Sequence, residues 1–411
     1  MNTLAEKAAS NGSPEAKAYR FVPTEHELRL NIGAGPSEFP GWTPVDRKNG
    51  QEAYPLAYPE DSAKEIRASH VLEHFGYTET IAVLKDWYRV LQPGGRLRVA
   101  VPDEGRMAYM QAKGEPGDYT RWRYGGQTDA NDFHKTGFDE AGLRQALQMA
   151  GFIAVDRWKP DYPDTSQMEI SLNLEAFKPT VGALGAAKGR KIHAVMSMPR
   201  LAFADNMYAA LKVFVPLGVE FTRFTGAYWG ECLERCMVDV IEKDPALEWV
   251  VTVDYDSVFT LQQFQKMAML FDTYPKYDAL APIQPKRGSD GTVLCKTTAD
   301  VTVDYMWGDI APMDTAHFGM TFFRVSALKK LPHPWFHSVP GKDGSWNEGN
   351  IDADIEFWNK WKRAGLTLGV TPRIGIGHIE NLIAWVNEDF TIVHQPTGQY
   401  DIHGPPRIAR A

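Results

Sequence analysis

Two aspartates one residue apart, Asp254 and Asp256, follow an apolar run at residues 249–253. Side chains at i and i+2 of an extended segment point to the same side. Two carboxylates at the end of a buried strand repel each other and lose hydration, and a cation would offset that cost. Mg²⁺ and Mn²⁺ prefer oxygen ligands and bridge carboxylates to phosphates. The pair therefore predicts a metal site for a nucleotide diphosphate, although an Asp-x-Asp in a turn is more often two solvated acids.

Three residues farther along the chain could complete such a site. His378 follows a strand-like segment at 368–377 and is a candidate third ligand, although a lone histidine is more often structural. Asp354 is the candidate general base for an acceptor hydroxyl. Asp352 and Asp354 also fit a second explanation, as the N-cap and a first-turn acid of a helix at 353–364. Capping and catalysis are compatible, so both explanations stay open.

With its flanks, the segment Asp254-Tyr255-Asp256 resembles the Asp-x-Asp motif of GT-A fold glycosyltransferases. Further matching segments follow the order of that family over about residues 190–393. They are an arginine at 235, a glycine-containing segment at 317–324, a Pro-Trp-Phe run within 331–336, an acidic segment at 351–357 and a Gly-His-Ile run at 377–379. One departure is Ala353, which stands where the family's acceptor-side motif has glutamate.

This resemblance implies a metal-dependent transfer of a sugar from a nucleotide-sugar donor to an acceptor hydroxyl. Asp254, Asp256 and His378 would hold Mn²⁺ or Mg²⁺, and Asp354, with Asp352 beside it, would act on the acceptor. The residues predicted to line the donor are Arg235, Tyr255, Gly319 and, from its place soon after a strand, Arg200.

In the first half, Gly33-Ala34-Gly35 ends a strand-like run at residues 28–32. Glycines at a strand end let the backbone approach a ligand closely. The third glycine of the dinucleotide-binding fingerprint is absent, since Glu38 stands there, and Asp46 comes too early to be its acidic residue. A tight turn explains the two glycines equally well.

Later segments add a second resemblance. His70-Val71-Leu72-Glu73-His74 and the run WYRVLQPGGRLRVAVPD at 87–103 resemble class I S-adenosylmethionine (SAM)-dependent methyltransferases, over about residues 28–178. The resemblance implies that Gly33 and Gly35 border SAM and that Asp46 accepts hydrogen bonds from its ribose. Leu72, Glu73 and His74 would line the edge of this cofactor. The residues alone leave two further explanations open. His70 and His74 could be polar residues at a strand end, and Glu73 could be an acid at a helix N-terminus, stabilised by the helix dipole.

The chain of 411 residues is long enough for two or three domains. Alternating strand-like and helix-like runs predict an α/β protein, and the two resemblances identify its halves as an N-terminal Rossmann-like methyltransferase fold and a C-terminal GT-A fold. The predicted divisions are a flexible tail at 1–25, the first domain at 26–178, a glycine-rich linker at 179–189, the second domain at 190–394 and an irregular arm at 395–411.

Composition narrows the class of protein. Hydrophobic residues at 44% and charged residues at 23% exclude a disordered or collagen-like chain. Three cysteines predict buried thiols in a reducing, cytoplasmic compartment, and no apolar stretch is long enough to predict a membrane span. The net charge of −8 disfavours a nucleic-acid partner.

The sequence thus predicts a glycosyltransferase for a glycan or another hydroxylated acceptor, fused to a methyltransferase-like domain. The alternatives are a methyltransferase-like domain that only binds, and a glycosyltransferase acting on nucleic-acid bases. The donor sugar and the oligomeric state do not follow from the sequence.

Overall fold

The computed structural model describes residues 27–35, 39–180, 183, 191–198, 202–285, 295–296, 310–342, 344, 350–380, 382–386 and 392–396. The predicted tail at 1–25, most of the predicted linker and Arg200 lie outside these residues. Within them the predicted mixed α/β architecture is confirmed, with two large sheets.

The first sheet is built from residues 28–177. Its strands are β1 (Leu28–Ile32), β2 (Thr43–Val45), β3 (Ala63–Ser69), β4 (Leu91–Pro102), β5 (Ile153–Arg157) and β6 (Ser171–Phe177). Its helices are α1 (Thr80–Val90), α2 (Glu104–Ala112), α3 (Tyr119–Tyr124) and α4 (Glu140–Met149). The strand order is β2-β1-β3-β4-β6-β5, in which β6 alone runs antiparallel to its neighbours. Strand β2 lies on one side of β1 and β3 on the other, so the direction in which strands are added reverses at β1. Ligands bind at the carboxyl ends of strands at such a switch point.

The strands of the first sheet alternate apolar and polar residues, which separates its two faces. Ile66 and Leu97 belong to the apolar core, together with residues of α1 and α4. The opposite face carries Glu65, Arg67 and Arg98, each at most 5% exposed.

Glu65 is the centre of a buried ion network on this polar face. Its Oε1 lies 2.7 Å from Arg96 Nη2 and 2.7 Å from Arg98 Nε. Burial raises the pKa of Glu65, but the charges of the arginines, with Arg96 and Arg98 foremost, outweigh burial and lower this pKa to about 2. Arg373, from the second sheet, adds to that lowering. The face is therefore held together by charge pairing.

The described residues of the second half form a larger sheet and three small two-stranded sheets. Its strands are β7 (Ile192–Met198), β8 (Glu220–Thr225), β9 (Trp249–Asp254), β10 (Ser257–Val258), β11 (Ala279–Ile283), β12 (Cys295–Lys296), β13 (Ala311–Pro312), β14 (Thr315–Ala316), β15 (Thr321–Arg324), β16 (Leu368–Gly375), β17 (Gly377–His378), β18 (Leu382–Val386) and β19 (Ile392–Pro396). Its helices are α5 (Ala204–Leu217), α6 (Trp229–Lys243), α7 (Leu261–Thr273), α8 (Val325–Leu328) and α9 (Ala353–Arg363).

The seven-stranded sheet has the order β13-β16-β11-β15-β9-β7-β8 and carries an apolar core on each face. Val250 packs with α6 and α9 on one face, where Phe357 and Trp358 are buried. The next residue, Val251, packs with α5 and α7 on the other face, against Phe264. This alternation explains why β9 is a continuous apolar run, since a strand covered on both faces is buried throughout.

Helix α7 also contacts the first sheet. Ala154 of β5 is buried in the core that contains α7. Lys266 Nζ of α7 lies 2.8 Å from Glu175 Oε1 and 3.4 Å from Asp156 Oδ2. The two sheets therefore meet through both apolar packing and ion pairs.

The end of the described chain differs from the predicted arm at 395–411. Gln395 and Pro396 pair with Ile383 and Leu382 in an antiparallel sheet, so regular structure continues past residue 394. Among the described helices, none has both the length and the apolar composition required to cross a membrane.

Candidate functional sites

Asp256 and His378 are brought together at the carboxyl end of β9. Strands β10 and β17 pair antiparallel with Ser257 opposite His378. His378 Nε2 lies 3.3 Å from Asp256 Oδ2, and the backbone N–H of Ile379 donates to the carbonyl oxygen of Asp256 at 2.8 Å. Two of the three predicted metal ligands therefore face each other.

The second ring nitrogen of His378 fixes how the ring is presented. His378 Nδ1 lies 2.9 Å from the carbonyl oxygen of Pro285. A carbonyl oxygen only accepts, so Nδ1 carries the hydrogen and Nε2 is directed to Asp256. Metal-binding histidines are commonly oriented in this way, with one nitrogen held by a carbonyl and the other on the ion.

Asp254, the third predicted ligand, is turned toward a helix. Its Oδ1 accepts a hydrogen bond from Trp229 Nε1 at 3.0 Å, and its carbonyl oxygen accepts one from Asn206 Nδ2 at 2.8 Å. Burial and the charge of Asp256 raise the pKa of Asp254 to about 7, against the lowering by Trp229 and His378. The charge of Asp354 raises the pKa further, so acidic side chains crowd this region.

The three predicted ligands do not close into a compact triad. Among the described residues, Glu73, His74 and His134 form the set of three potential metal-binding side chains whose ligand atoms all lie within 4.8 Å of one another. Around β9 the structure instead provides the close pair of Asp256 and His378, with Asp254 two residues before Asp256. Two carboxylates and one imidazole suit a hard divalent ion that takes its other ligands from phosphate or water.

Asp354 and Asp352 lie at the start of α9. Asp352 is exposed at the N-cap position, and its side chain makes no capping hydrogen bond. Asp354 is half-buried, and its Oδ1 accepts from the backbone N–H of Ile355 at 2.8 Å. The side-chain N-cap expected for Asp352 is therefore not formed, while Asp354 is the acid that acts electrostatically on Asp254.

Close packing around the start of α6 accounts for the glycine at 230. A Cβ on Gly230 would lie 2.7 Å from Phe336 Cβ and 3.6 Å from Ala353 Cβ. Trp229, the first residue of α6, contacts the ring of Phe336 with centroids 5.4 Å apart. A side chain at 230 would collide with Phe336, so the glycine allows the start of α9 to lie near Trp229, which donates to Asp254.

Gly319 packs against a buried polar cluster. A Cβ at this position would lie 2.6 Å from Ser257 Oγ and 2.8 Å from Gln284 Oε1. The backbone N–H of Gly319 donates to His317 Nδ1 at 2.9 Å, while His317 Nε2 donates to the carbonyl oxygen of Pro282 at 2.7 Å. Burial lowers the pKa of His317 to about 4, which matches this neutral ring. Packing beneath the Asp256–His378 pair thus explains the glycine, and donor binding by Gly319 stays a prediction.

The other predicted donor residues have varied surroundings. The ring of Tyr255 is parallel to that of Phe203, with centroids 6.5 Å apart. Arg235 is two-thirds exposed, and its Nη2 pairs with Glu231 Oε1 at 2.6 Å rather than with a described carboxylate of the site. The neighbouring Glu234, which the sequence analysis missed, instead accepts the backbone N–H groups of Trp335 and Phe336 at 2.9 and 3.1 Å.

The glycine turn and Asp46 lie together at the carboxyl end of β1 and β2. Asp46 Oδ2 accepts the backbone N–H of Gly35 at 2.9 Å, and Oδ1 accepts that of Lys48 at 2.9 Å. A Cβ on Gly33 would lie 2.4 Å from Val71 Cγ2, so Gly33 is required by packing. A Cβ on Gly35 would meet no described atom within 4 Å. Gly35 therefore borders open space, and each oxygen of Asp46 keeps capacity for a further hydrogen bond.

The Leu72-Glu73-His74 segment corrects one expectation. Leu72 has no exposed surface and belongs to the apolar core, so its side chain does not line a cofactor. Glu73 is also fully buried, and His70 Nδ1 lies 3.2 Å from its Oε1. His74 is half-buried and contacts the ring of His134 at a centroid distance of 4.8 Å. His134 was not among the site residues predicted from the sequence.

An open cleft of about 620 Å³ lies beyond β4. It is lined mostly by charged residues, among them Asp103, Arg106, Glu140 and Arg157, and Ser171 also lines it. Neither glycine of the turn nor Asp46 lines it. Ser171 Oγ lies 3.1 Å from His70 Nε2, which connects the cleft wall to the histidines around Glu73.

Comparisons with known proteins show low similarity. No family model matches the chain, and no curated protein matches it. Among solved structures, A197 from STIV is similar at 13% identity and a TM-score of 0.35, over 54% of this chain and 97% of that one. A SAM-dependent methyltransferase from Archaeoglobus fulgidus is similar at 15% identity and a TM-score of 0.27, over 38% of this chain and 87% of that one. One from Mesorhizobium loti is similar at 16% identity and a TM-score of 0.26, over 37% and 91%. Similarities of this size do not establish an activity, which has to be inferred from the two sites.

Proposed function

We propose that the second half of the chain is a metal-dependent glycosyltransferase of GT-A architecture that uses a nucleotide-sugar donor. The observation that carries this proposal is the 3.3 Å approach of His378 Nε2 to Asp256 Oδ2, with Asp254 adjacent. Apolar packing does not require two carboxylates and an oriented imidazole at the end of a buried strand. An ion that is shared with a diphosphate accounts for all three.

In this proposal Asp256 and His378 hold the ion, and Asp254 completes the protein ligands after releasing Trp229. A bound Mn²⁺ or Mg²⁺ supplies charge neutralisation for the departing diphosphate. Asp354 accepts the proton of the acceptor hydroxyl, a contribution of about 10²–10⁴-fold for a positioned base. An acceptor-side base favours inversion of configuration at the anomeric carbon.

A donor screen tests this function. Hydrolysis and thermal shift are measured with a panel of nucleotide-sugars, with and without Mn²⁺. We expect one donor to stabilise the protein only when Mn²⁺ is present, and Asp256→Asn to abolish the effect. Asp239→Asn is the matched control, since that aspartate pairs with Lys243 on α6 at 2.8 Å. Equal stabilisation by a donor with and without Mn²⁺, or unchanged stabilisation in Asp256→Asn, would overturn the proposal.

We further propose that the first half binds SAM at the switch point of its sheet. The observation in favour is the carboxylate of Asp46, fixed by the backbone of Gly35 beside open space. An ionised acceptor in that position suits two ribose hydroxyls. Methyl transfer requires little beyond proximity and orientation of the two reactants.

Titration calorimetry with SAM tests the cofactor. Binding of about one equivalent supports the proposal, and no binding removes it. A transfer assay with radiolabelled SAM and glycan acceptors then separates a transferase from a domain that only binds. Gel shifts over a range of salt concentrations test the nucleic-acid alternative, which predicts a steep loss of affinity with salt.

A further inference from the structure

The geometry points to a second metal site, of a different type, in the first half of the chain. We propose that Glu73, His74 and His134 bind one divalent transition-metal ion of the zinc class. Each residue offers a ligand atom, and these atoms all lie within 4.8 Å of one another. This set is distinct from the pair of Asp256 and His378 at β9 and from Asp46, which is proposed to bind the ribose of SAM.

In both histidines a backbone carbonyl lies next to Nδ1. His74 Nδ1 lies 3.2 Å from the carbonyl oxygen of Phe133, and His134 Nδ1 lies 3.0 Å from that of Trp122. Because carbonyl oxygens only accept, each Nδ1 carries the hydrogen and each Nε2 has its lone pair available. Two imidazoles oriented in this way by backbone carbonyls match the usual surroundings of metal-binding histidines.

The surroundings of the Glu73 carboxylate are a second, independent observation in favour of a bound ion. It has no exposed surface, and neither of its carboxylate oxygens has a well-formed hydrogen bond among the described residues. The imidazole nitrogens near its Oε1 are His70 Nδ1 at 3.2 Å and His134 Nε2 at 3.9 Å. A buried carboxylate without hydrogen bonds is costly, and an ion at this position would remove the cost.

The backbone keeps the ligands together. The carbonyl oxygen of Glu73 accepts the N–H groups of Lys135 at 2.7 Å and of Thr136 at 3.2 Å. These bonds hold the segment that carries His134 against the one that carries Glu73 and His74. The cluster therefore does not depend on contacts between its side chains alone.

The ligand set indicates the class of ion. Two imidazoles and one carboxylate suit Zn²⁺ and related ions, whereas Mg²⁺ prefers oxygen alone. Bonds of about 2.0–2.2 Å to Zn²⁺ place tetrahedral ligand atoms about 3.5 Å apart, so small side-chain rotations would close the site. Three protein ligands leave a fourth position, which would be open to a water molecule or an acceptor atom.

Metal stoichiometry tests the proposal on the full-length protein. The protein is freed of metal with a chelator, incubated with Zn²⁺, passed through a desalting column and analysed for metal per chain. We expect Glu73→Gln and His134→Asn each to lose about one equivalent of Zn²⁺ relative to the unchanged protein. His193→Asn is the matched control, because His193 is also largely buried near a carboxylate, Glu220 at 3.4 Å, but has no place in the cluster.

Two further variants make the result decisive. Asp256→Asn should keep the equivalent of Zn²⁺ that Glu73→Gln loses, which separates this site from the proposed glycosyltransferase site. If Glu73→Gln fails to fold, as judged by circular dichroism, the half-buried His74→Asn replaces it. In the Co²⁺ form, the absorption bands of a four-coordinate ion should be present in the unchanged protein and absent from these variants. Cluster variants that retain as much Zn²⁺ as the unchanged protein, or an unchanged protein that retains no Zn²⁺ at all, would overturn the proposal.

Discussion

The Nε2 atom of His378 lies 3.3 Å from the Oδ2 atom of Asp256, although the two residues come from distant parts of the sequence. A two-stranded antiparallel sheet causes this approach, by setting Ser257 opposite His378. The backbone N–H of Ile379 fastens the same turn to Asp256. The acidic turn after β9 and the imidazole therefore form one unit, and the proposed function depends on that unit.

Replacing His378 by asparagine should weaken Mn²⁺ binding. Loss of an outer residue that only orients a ligand costs about 10–100-fold in metal affinity, and a direct ligand should cost at least as much. Calorimetric titration of Mn²⁺ in the presence of the donor measures the change. His394→Asn, at an exposed position on β19, is the control and should bind as the unchanged protein does. Equal affinity in His378→Asn would remove His378 from the site.

Replacing Asp354 by asparagine should lower kcat by about 10²–10⁴-fold and change KM for the donor little. A general base takes up the acceptor's proton in the transition state and does not bind the donor. Steady-state transfer rates measure both constants. Asp352→Asn should have a smaller effect, since Asp352 is exposed at the N-cap. Asp314→Asn, which removes an ion pair with Lys362 on α9, is the control. A larger loss in Asp352→Asn than in Asp354→Asn would reverse the assignment of the base.

Glu65 should make the protein sensitive to acid. Its pKa is about 2 in the folded protein against an ordinary 4.5. A lowered folded-state pKa stabilises the fold fully above the unfolded value, and the contribution disappears as pH falls from about 4.5 through about 2. The pKa difference corresponds to about 3 kcal/mol. Urea unfolding at a series of pH values measures this free energy.

In that experiment Glu65→Gln should be destabilised by about 3–5 kcal/mol at neutral pH, because Arg96 and Arg98 lose their buried partner. Its stability should also fall less between pH 4.5 and 2 than that of the unchanged protein. Glu140→Gln, which alters a more exposed carboxylate paired with Arg157, is the control. Parallel pH profiles for Glu65→Gln and the unchanged protein would contradict the assigned pKa.

Asp46→Asn should weaken SAM binding by about 10- to 100-fold, because a hydrogen bond to a charged acceptor contributes about 1.5–3 kcal/mol. The amide oxygen can still accept from the backbone, so we expect the fold to remain. Calorimetry with SAM and thermal unfolding measure the two effects. Asp139→Asn, at the N-cap of α4, is the control. Unchanged SAM affinity in Asp46→Asn would place the ribose elsewhere.

The thiols of α6 should be inert in the folded protein. Cys236 has no exposed surface, and burial raises its pKa to about 12. Burial also raises the pKa of Cys232, which is 4% exposed. Since the thiolate is the reactive form, both should resist a maleimide at neutral pH until the protein is unfolded. Mass spectrometry of a Cys295→Ser variant, before and after urea, counts the modified thiols. Fast labelling of Cys236 in the native protein would contradict its burial.

The sequence predicted the local elements well where an apolar run ends at a strong signal. The strand at 28–32 is observed as Leu28–Ile32, because two glycines end it. The helix at 353–364 is observed as Ala353–Arg363. The strand Ala63–Ser69 lacks so clear an apolar run, since charged Glu65 and Arg67 interrupt it. Polar residues that pair within a buried network do not resemble a strand in a search for apolar runs.

Pairings between distant segments could not be predicted. No local pattern places β6 between β4 and β5 or sets Ser257 opposite His378. Leu72 was expected at the cofactor from the methyltransferase resemblance, but this apolar side chain packs into the core. His134 was not predicted, because its approach to Glu73 depends on a turn that only the folded chain forms.

Anomalous diffraction from crystals soaked with Mn²⁺ and the donor found in the screen tests the central claim most directly. We predict one Mn²⁺ peak bound by Asp256 and His378, with Asp254 turned from Trp229 to join them and the donor diphosphate on the opposite side of the ion. An empty site after such a soak, or Asp256 and His378 moved apart with the diphosphate bound elsewhere, would contradict the account.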